Sequence, residues 1–267
     1  EDNFFRIGGD SILAIQTSHR MSKALATTVS IADIFKFKTI SEILLHKGSF
    51  IKVTIPKVKG GTSVLSFAQE RLWFIEEYEE GTNAYHIPLV LELKKDTDKE
   101  GIKYAITRVV SRHEVLRSTI SRGEDQKGMQ VVHEEPLKIE AVSVNEENFA
   151  RTLSEDINRP FVLSKEYPIR VTLYTIVSGN ETTKEVLLIA LHHIASDGWS
   201  MEIFHKEMLA YYEAYLSQDT AFSLPELEIQ YKDYAVWQRS YLTGDLLTGQ
   251  LSYWKKKMSG YENLALP

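Results

Sequence analysis

No cysteine occurs among the 267 residues. That absence excludes disulfides, thiolate metal ligation and a cysteine nucleophile, and it fits a cytoplasmic protein. No apolar run approaches the ~20 residues of a membrane span, so no membrane partner is expected. The opening Glu1-Asp2-Asn3-Phe4-Phe5 lacks the basic flank and apolar stretch of a secretory signal. It also lacks an initiator methionine and begins in mid-pattern, which reads as a piece of a longer chain. Neither a solenoid-period repeat nor a low-complexity tract is present. Excess positive charge is missing too: the net charge is −6. Residues 1–60 hold nine Lys/Arg against five Asp/Glu, so the remainder carries −10. An acidic bulk argues against nucleic acid as a partner.

What is there is a soluble globular composition, 43% hydrophobic and 25% charged, long enough for one or two domains. A helical pattern ends at Lys47-Gly48-Ser49, and a basic stretch containing Pro56, Gly60 and Gly61 follows without helical period. Before it, Asp10 can cap a helix from Ser11 to about Lys23, with Ile12, Leu13, Ile15 and Met21 as its apolar face. Ser30 and Thr39 can cap two shorter helices, Ile31–Phe35 and Ile40–His46. After it, helices are predicted at Ser66–Tyr78, Gly101–Arg112, Ser200–Leu216 and Tyr231–Met258, the last broken near Gly244 and Gly249. Strands are predicted at 86–93, 118–121, 130–133, 169–177 and 186–191. Helices interleaved with strands predict an α/β or α+β fold, an open sheet covered by helices.

Two strings carry chemistry. In Gly8-Gly9-Asp10-Ser11 the glycines permit a tight turn, and the helix start offers free N–H groups and a positive dipole end, which suit a phosphodiester on Ser11. A plain capped helix after a turn explains the same four residues. In His192-His193-Ile194-Ala195-Ser196-Asp197-Gly198, six apolar residues lead into the histidine pair and a helix follows. Adjacent residues at a strand end point to opposite faces, so only one histidine can face a given cleft. A packed, hydrogen-bonded pair is the ordinary alternative. No HExxH helical pair, cysteine or convincing third ligand supports a metal, and no G-x-S-x-G supports a serine hydrolase.

The flanks of both strings bring a resemblance. Asp2 to Ile12, followed by Asp33-Ile34-Phe35 and Thr39-Ile40, resembles the core of peptidyl carrier domains of nonribosomal peptide synthetases, without that family's first helix. HHxxxDG resembles the signature of their condensation domains, shared with chloramphenicol acetyltransferase-like enzymes. Ser66 to Trp73, Arg112-His113-Glu114-Val115-Leu116-Arg117 and Tyr231 to Trp237 resemble three further motifs of that family, in its order.

The resemblance implies a truncated carrier over 1–48, a linker over 49–62, a condensation N-terminal lobe over 63–230 and a lobe-connecting helical segment over 231–267. It implies 4′-phosphopantetheine on Ser11, with Asp10 beside it, and a transferase to attach it. His193 is expected to face the cleft and promote attack of an acceptor amine on a donor thioester. His192 is expected to be structural, Asp197 to pair with Arg112, Arg117 to support that network, and the Gly198 N–H to bond the substrate. Peptidyl and aminoacyl thioesters are the implied substrates, and the implied partners are an adenylation domain upstream and an acceptor carrier downstream. The linker, about 14 residues, spans at most ~45–50 Å when extended. Without a second lobe the segment is expected to be inactive alone. Gly-Gly-Asp-Ser is also typical of carriers that feed epimerisation domains, so a carrier with an epimerisation domain is one alternative. A non-catalytic docking module is another. The intact histidine pair speaks against heterocyclisation.

Overall fold

The computed structural model describes residues 2–46, 54–78, 82–123, 126–179 and 181–262. The chain divides into two compact units, Glu1–Thr54 and Ile55–Pro267. The Lys47-Gly48-Ser49 helix end and residues 49–53 of the expected linker lie outside the described residues.

The first unit holds α1 (Ser11–Leu25), α2 (Ile31–Phe37) and α3 (Ile40–Leu45). Each begins where a side chain can take up an orphan N–H. Asp10 accepts from Leu13 N at 2.7 Å, Ser30 from Asp33 N at 3.1 Å and Thr39 from Glu42 N at 3.2 Å. Ala14, Val29, Ile34 and Ile43 form the core, with Phe4, Phe5, Met21 and Leu25 packed around it. The expected apolar face of α1 is therefore corrected: Ala14 is buried while Ile12 (55%), Leu13 (42%) and Ile15 (43%) are exposed. Apolar residues sit on more than one side of this helix; of the expected face only Met21 packs against the core, beside Ala14 and Leu25.

The second unit runs β1 (Thr62–Val64), α4 (Phe67–Tyr78), β2 (His86–Leu93), α5 (Lys99–Arg112), a 3₁₀ turn (Glu114–Arg117), β3 (Ser118–Arg122), β4 (Gly128–Val132), β5 (Ile139–Asn145), α6 (Glu146–Asn158), β6 (Ile169–Ser178), β7 (Glu181–His192), α7 (Gly198–Leu216), α8 (Tyr231–Tyr241) and α9 (Gly244–Lys257). The strands form two sheets, β1-β4-β3 and β2-β7-β6-β5. Among the described residues only β5 and β6 pair in parallel. The break near Gly244 is present, at a φ of +54°, whereas Gly249 lies inside α9.

Strand β7 is covered on both faces, which is why its sequence is continuously apolar. Leu187, Ile189 and Leu191 pack with Val109 of α5 and Phe204 of α7. Val186 and Leu188 pack toward Phe149, Leu153 and Ile157 of α6. Burying each such side chain contributes roughly 1.5–3 kcal/mol, so the strand end that carries the histidines is a rigid anchor.

A candidate active site at the end of strand β7

The alternation of β7 continues through its last residue. His192 follows Val186, Leu188 and Ala190 onto the face away from α5 and α7, and it is completely buried. Its Nε2 lies 2.9 Å from Glu76 Oε1, and its Nδ1 accepts the N–H of Ile194 at 3.0 Å. His193 turns the other way and is exposed. Its main-chain N–H donates to Tyr85 O at 2.8 Å. Its side chain lines a cavity of about 710 Å³ in the second unit. Val109, Met201 and Phe204 form an apolar wall, with Tyr231 and Tyr234 of α8 also contributing.

The loop beyond the pair is tied back on itself. The His192 carbonyl accepts from Ala195 N at 3.0 Å and from the Ser196 hydroxyl at 3.2 Å. Asp197 caps α7, its Oδ1 accepting from Ser200 N at 2.8 Å while Ser200 Oγ accepts from Asp197 N at 2.7 Å. Gly198 opens α7 with nothing within 4 Å of where a Cβ would stand. This unit therefore sets neither a steric nor a conformational demand for glycine there.

Two expected partnerships are corrected. Arg112 does not pair with Asp197: its Nε donates to Glu207 Oε1 at 3.1 Å, and the other oxygen of Glu207 lies 2.7 Å from His113 Nε2. Arg112 ends α5 and Glu207 lies on α7, and the packing of these two helices brings the two side chains together. Arg117 stands apart from the Asp197 loop: it donates to Ser111 O at 3.3 Å and to His133 O, and it pairs with Glu134 at 3.2 Å. It therefore fastens the start of β3 to the end of β4.

Two residues around the site, Glu76 and Glu207, escaped sequence reasoning, and a third, Tyr231, was singled out only as the start of a motif. Glu76 continues the buried stripe Gln69, Leu72, Trp73 of α4, and a carboxylate at a core position of a helix was the available signal. Glu207 carried no such signal. Tyr231 lines the cavity and shares a hydrogen bond with Ser66 Oγ at 3.0 Å. Burial pushes its hydroxyl pKa above the ordinary tyrosine value, so it stays a neutral donor.

In the first unit the residues present fit a phosphodiester-linked arm. Ser11 is exposed at the first position of α1, beside the capping Asp10. Gly8 has a φ of +99°, and a Cβ on Gly9 would stand 2.5 Å from the Phe4 carbonyl oxygen. Both glycines are therefore required by the turn that presents the hydroxyl.

Among the described residues no helix is long and apolar enough to cross a membrane. A family model described as Condensation domain matches residues 59–267, and one described as Phosphopantetheine attachment site matches residues 1–46. A linear gramicidin synthase of Brevibacillus parabrevis is 36% identical over 280 residues, covering 100% of this chain and 5% of that protein. The bassianolide nonribosomal cyclodepsipeptide synthetase of Beauveria bassiana is 32% identical over 271 residues, covering 99% of this chain and 8% of that protein. The chain thus spans less than a tenth of the length of these curated relatives. Among solved structures, the X-domain of teicoplanin biosynthesis in its complex with OxyB superposes with a TM-score of 0.70 at 27% identity, over 82% of this chain and 49% of that chain. The first condensation domain of the calcium-dependent antibiotic synthetase superposes with a TM-score of 0.61 at 16% identity, over 77% of this chain and 51% of that one, a likeness of fold. The chain belongs to the condensation-domain family and is a carrier-condensation segment of a nonribosomal peptide synthetase, its first 46 residues being the phosphopantetheine attachment domain.

Proposed function

We propose that this segment transfers a donor acyl chain from its own carrier to an acceptor amine, and that His193 is the residue that promotes the transfer. The observation that carries the reading is the placement of His193: an exposed imidazole beside a large apolar cavity, held by the end of a strand buried on both faces. The 4′-phosphopantetheine attached to Ser11 supplies the thiol that holds the donor as a thioester. The reaction is acyl transfer from sulfur to nitrogen: an N–C bond forms, the C–S bond breaks, the amine loses a proton and the sulfur leaves as thiol. His193 can take up the amine proton, hold the amine, or donate to the developing oxyanion, and all three need the same placement. His192 and Asp197 act through the loop, the first from the core and the second by capping α7. Gly198 is exposed at the first position of α7, where its N–H has no partner within the helix and is available as a donor for the substrate.

The remaining parts of the reading lie outside this chain. An adenylation domain upstream loads the donor, a phosphopantetheinyl transferase modifies Ser11, and an acceptor carrier downstream brings the amine. The solved relatives extend well beyond the matched region, 49% and 51% of their length being covered, which supports an amide-forming unit larger than this chain and a segment inactive alone. A chain with no cysteine suits the cytoplasm, where the transferase finds its coenzyme A.

The test is amide formation by the complete synthetase module carrying His193→Ala. A fall of about 10²–10⁴-fold, the usual worth of a positioned proton-transfer group, is expected. Unchanged product formation overturns the reading and favours a module that only docks a partner, the role suggested by an X-domain solved in complex with OxyB.

A further inference from the structure

His192 is conspicuous because both its ring nitrogens are engaged within a fully buried site. The Ile194 N–H points at Nδ1, so that nitrogen carries no proton. The ring proton is then on Nε2, which donates to Glu76 Oε1 at 2.9 Å. The second oxygen of Glu76 accepts the Thr82 N–H at 3.3 Å. Glu76 itself is 7% exposed and sits on the buried stripe of α4. Packing alone would favour an apolar residue at this position, since desolvating a carboxylate costs several kcal/mol. A carboxylate there has a task beyond filling space.

That task is legible in the bonds that meet at His192. Through Nδ1 the ring holds Ile194, and through its carbonyl it holds Ala195 and Ser196. His193 lies between the clamped His192 and the clamped Ile194. A ring free to rotate or to move its proton to Nδ1 would release the Ile194 N–H and let the backbone of His193 turn. A neutral imidazole, with one N–H donor and one bare nitrogen on a rigid ring, joins the buried Glu76 acceptor on one side to the Ile194 backbone donor on the other.

We propose that Glu76 is a positioning residue for the reaction at His193. It fixes His192 in the Nε2–H form, and that form holds the loop that aims the His193 side chain into the cavity. The inference rests on the reading of His193 given above and deepens it. Glu76 touches neither substrate nor the reacting atoms. Its contribution appears in the rate of the chemical step, where a misplacement of about 1 Å costs on the order of 10²-fold.

The test uses the complete synthetase module with both carriers loaded, comparing wild type, Glu76→Leu, Glu76→Gln and His193→Ala in single-turnover amide formation. Glu76→Leu should lower the rate by about 10²-fold while the KM for the acceptor carrier stays unchanged. Glu76→Gln keeps an oxygen for the His192 N–H and should stay within roughly 10-fold of wild type. In parallel, ¹⁵N spectra of the histidine-labelled 267-residue chain should show His192 protonated on Nε2. They should also show that state lost in Glu76→Leu and kept in Glu76→Gln. A wild-type rate in Glu76→Leu, or a proton on Nδ1 of wild-type His192, overturns the inference. If Glu76→Leu fails to fold, the wild-type spectrum and the Glu76→Gln rate still decide. Loss of activity in His193→Ala with full activity in Glu76→Leu sinks this inference alone. Full activity in His193→Ala sinks the underlying reading.

Discussion

Replacing Arg112 by methionine, and Glu207 and Asp197 by leucine and alanine, measures which carboxylate holds the arginine. Glu207 accepts from Arg112 Nε at 3.1 Å and lies 2.7 Å from His113 Nε2, with side-chain exposures of 14–23% across the three groups. Such a site lies between an exposed pair, worth about 0–1 kcal/mol, and a fully buried one, whose breaking costs about 3–5 kcal/mol. Glu207→Leu leaves two donors without their acceptor and should cost about 2–3 kcal/mol. In a unit of this size that lowers Tm by about 4–12 °C. Asp197→Ala removes only an N-cap and should cost about 1 kcal/mol. All four tryptophans, at 73, 199, 237 and 254, lie in the second unit, so fluorescence-detected urea unfolding reads that unit selectively. In double-mutant cycles, Arg112 and Glu207 should couple by about 1–2 kcal/mol, whereas Arg112 and Asp197 should be additive within about 0.5 kcal/mol. Stronger coupling of Arg112 to Asp197 than to Glu207 would refute the network drawn here.

Two further outcomes follow from the same contacts. A Cβ on Gly9 would stand 2.5 Å from the Phe4 carbonyl, so Gly9→Ala should slow the mass gain on Ser11 given by a phosphopantetheinyl transferase and coenzyme A. A normal time course would count against the turn's role, and Ser11→Ala should show no gain at all. Burial lowers the pKa of His86 below 6.5, aided by the Arg170 charge, while its bond to Ile157 opposes the shift. The unfolded chain then binds the proton first as pH falls, so this group's stabilisation is present above pH 6.5 and is lost below it. Its slope is at most about 1.4 kcal/mol per pH unit, and unfolding free energies of His86→Asn should fall less steeply than wild type on acidification; parallel slopes would contradict this.

Much of the site was legible because strand alternation is strict. Six consecutive apolar residues announced a strand covered on both faces, and the step from His192 to His193 then had to change faces. Helix starts were legible where a capping side chain came just before an apolar run, as at Asp10, Ser30 and Thr39. What was missed depended on three-dimensional neighbours. Arg112 had several carboxylates to choose from, and only the packing of α5 on α7 selects Glu207. The apolar face of α1 was misassigned because Ile12, Leu13 and Ile15 compete with Ala14, and only the approach of α2 and α3 decides. Strand β5 and helix α6 were overlooked although Phe149, Leu153 and Ile157 keep a four-residue spacing that faces the sheet. Strand β1 has only three residues, too few for a period to register.

The central claim is that the acyl chain on Ser11 is handed on through the action of His193. The most direct measurement loads a donor acyl group on Ser11 of the complete module and an aminoacyl group on the acceptor carrier, then follows both carriers by intact mass. Wild type should lose the donor mass from Ser11 as the acceptor gains it. In His193→Ala the donor should stay on Ser11, with transfer slowed by about 10²–10⁴-fold. Transfer at the wild-type rate without that imidazole would contradict the account.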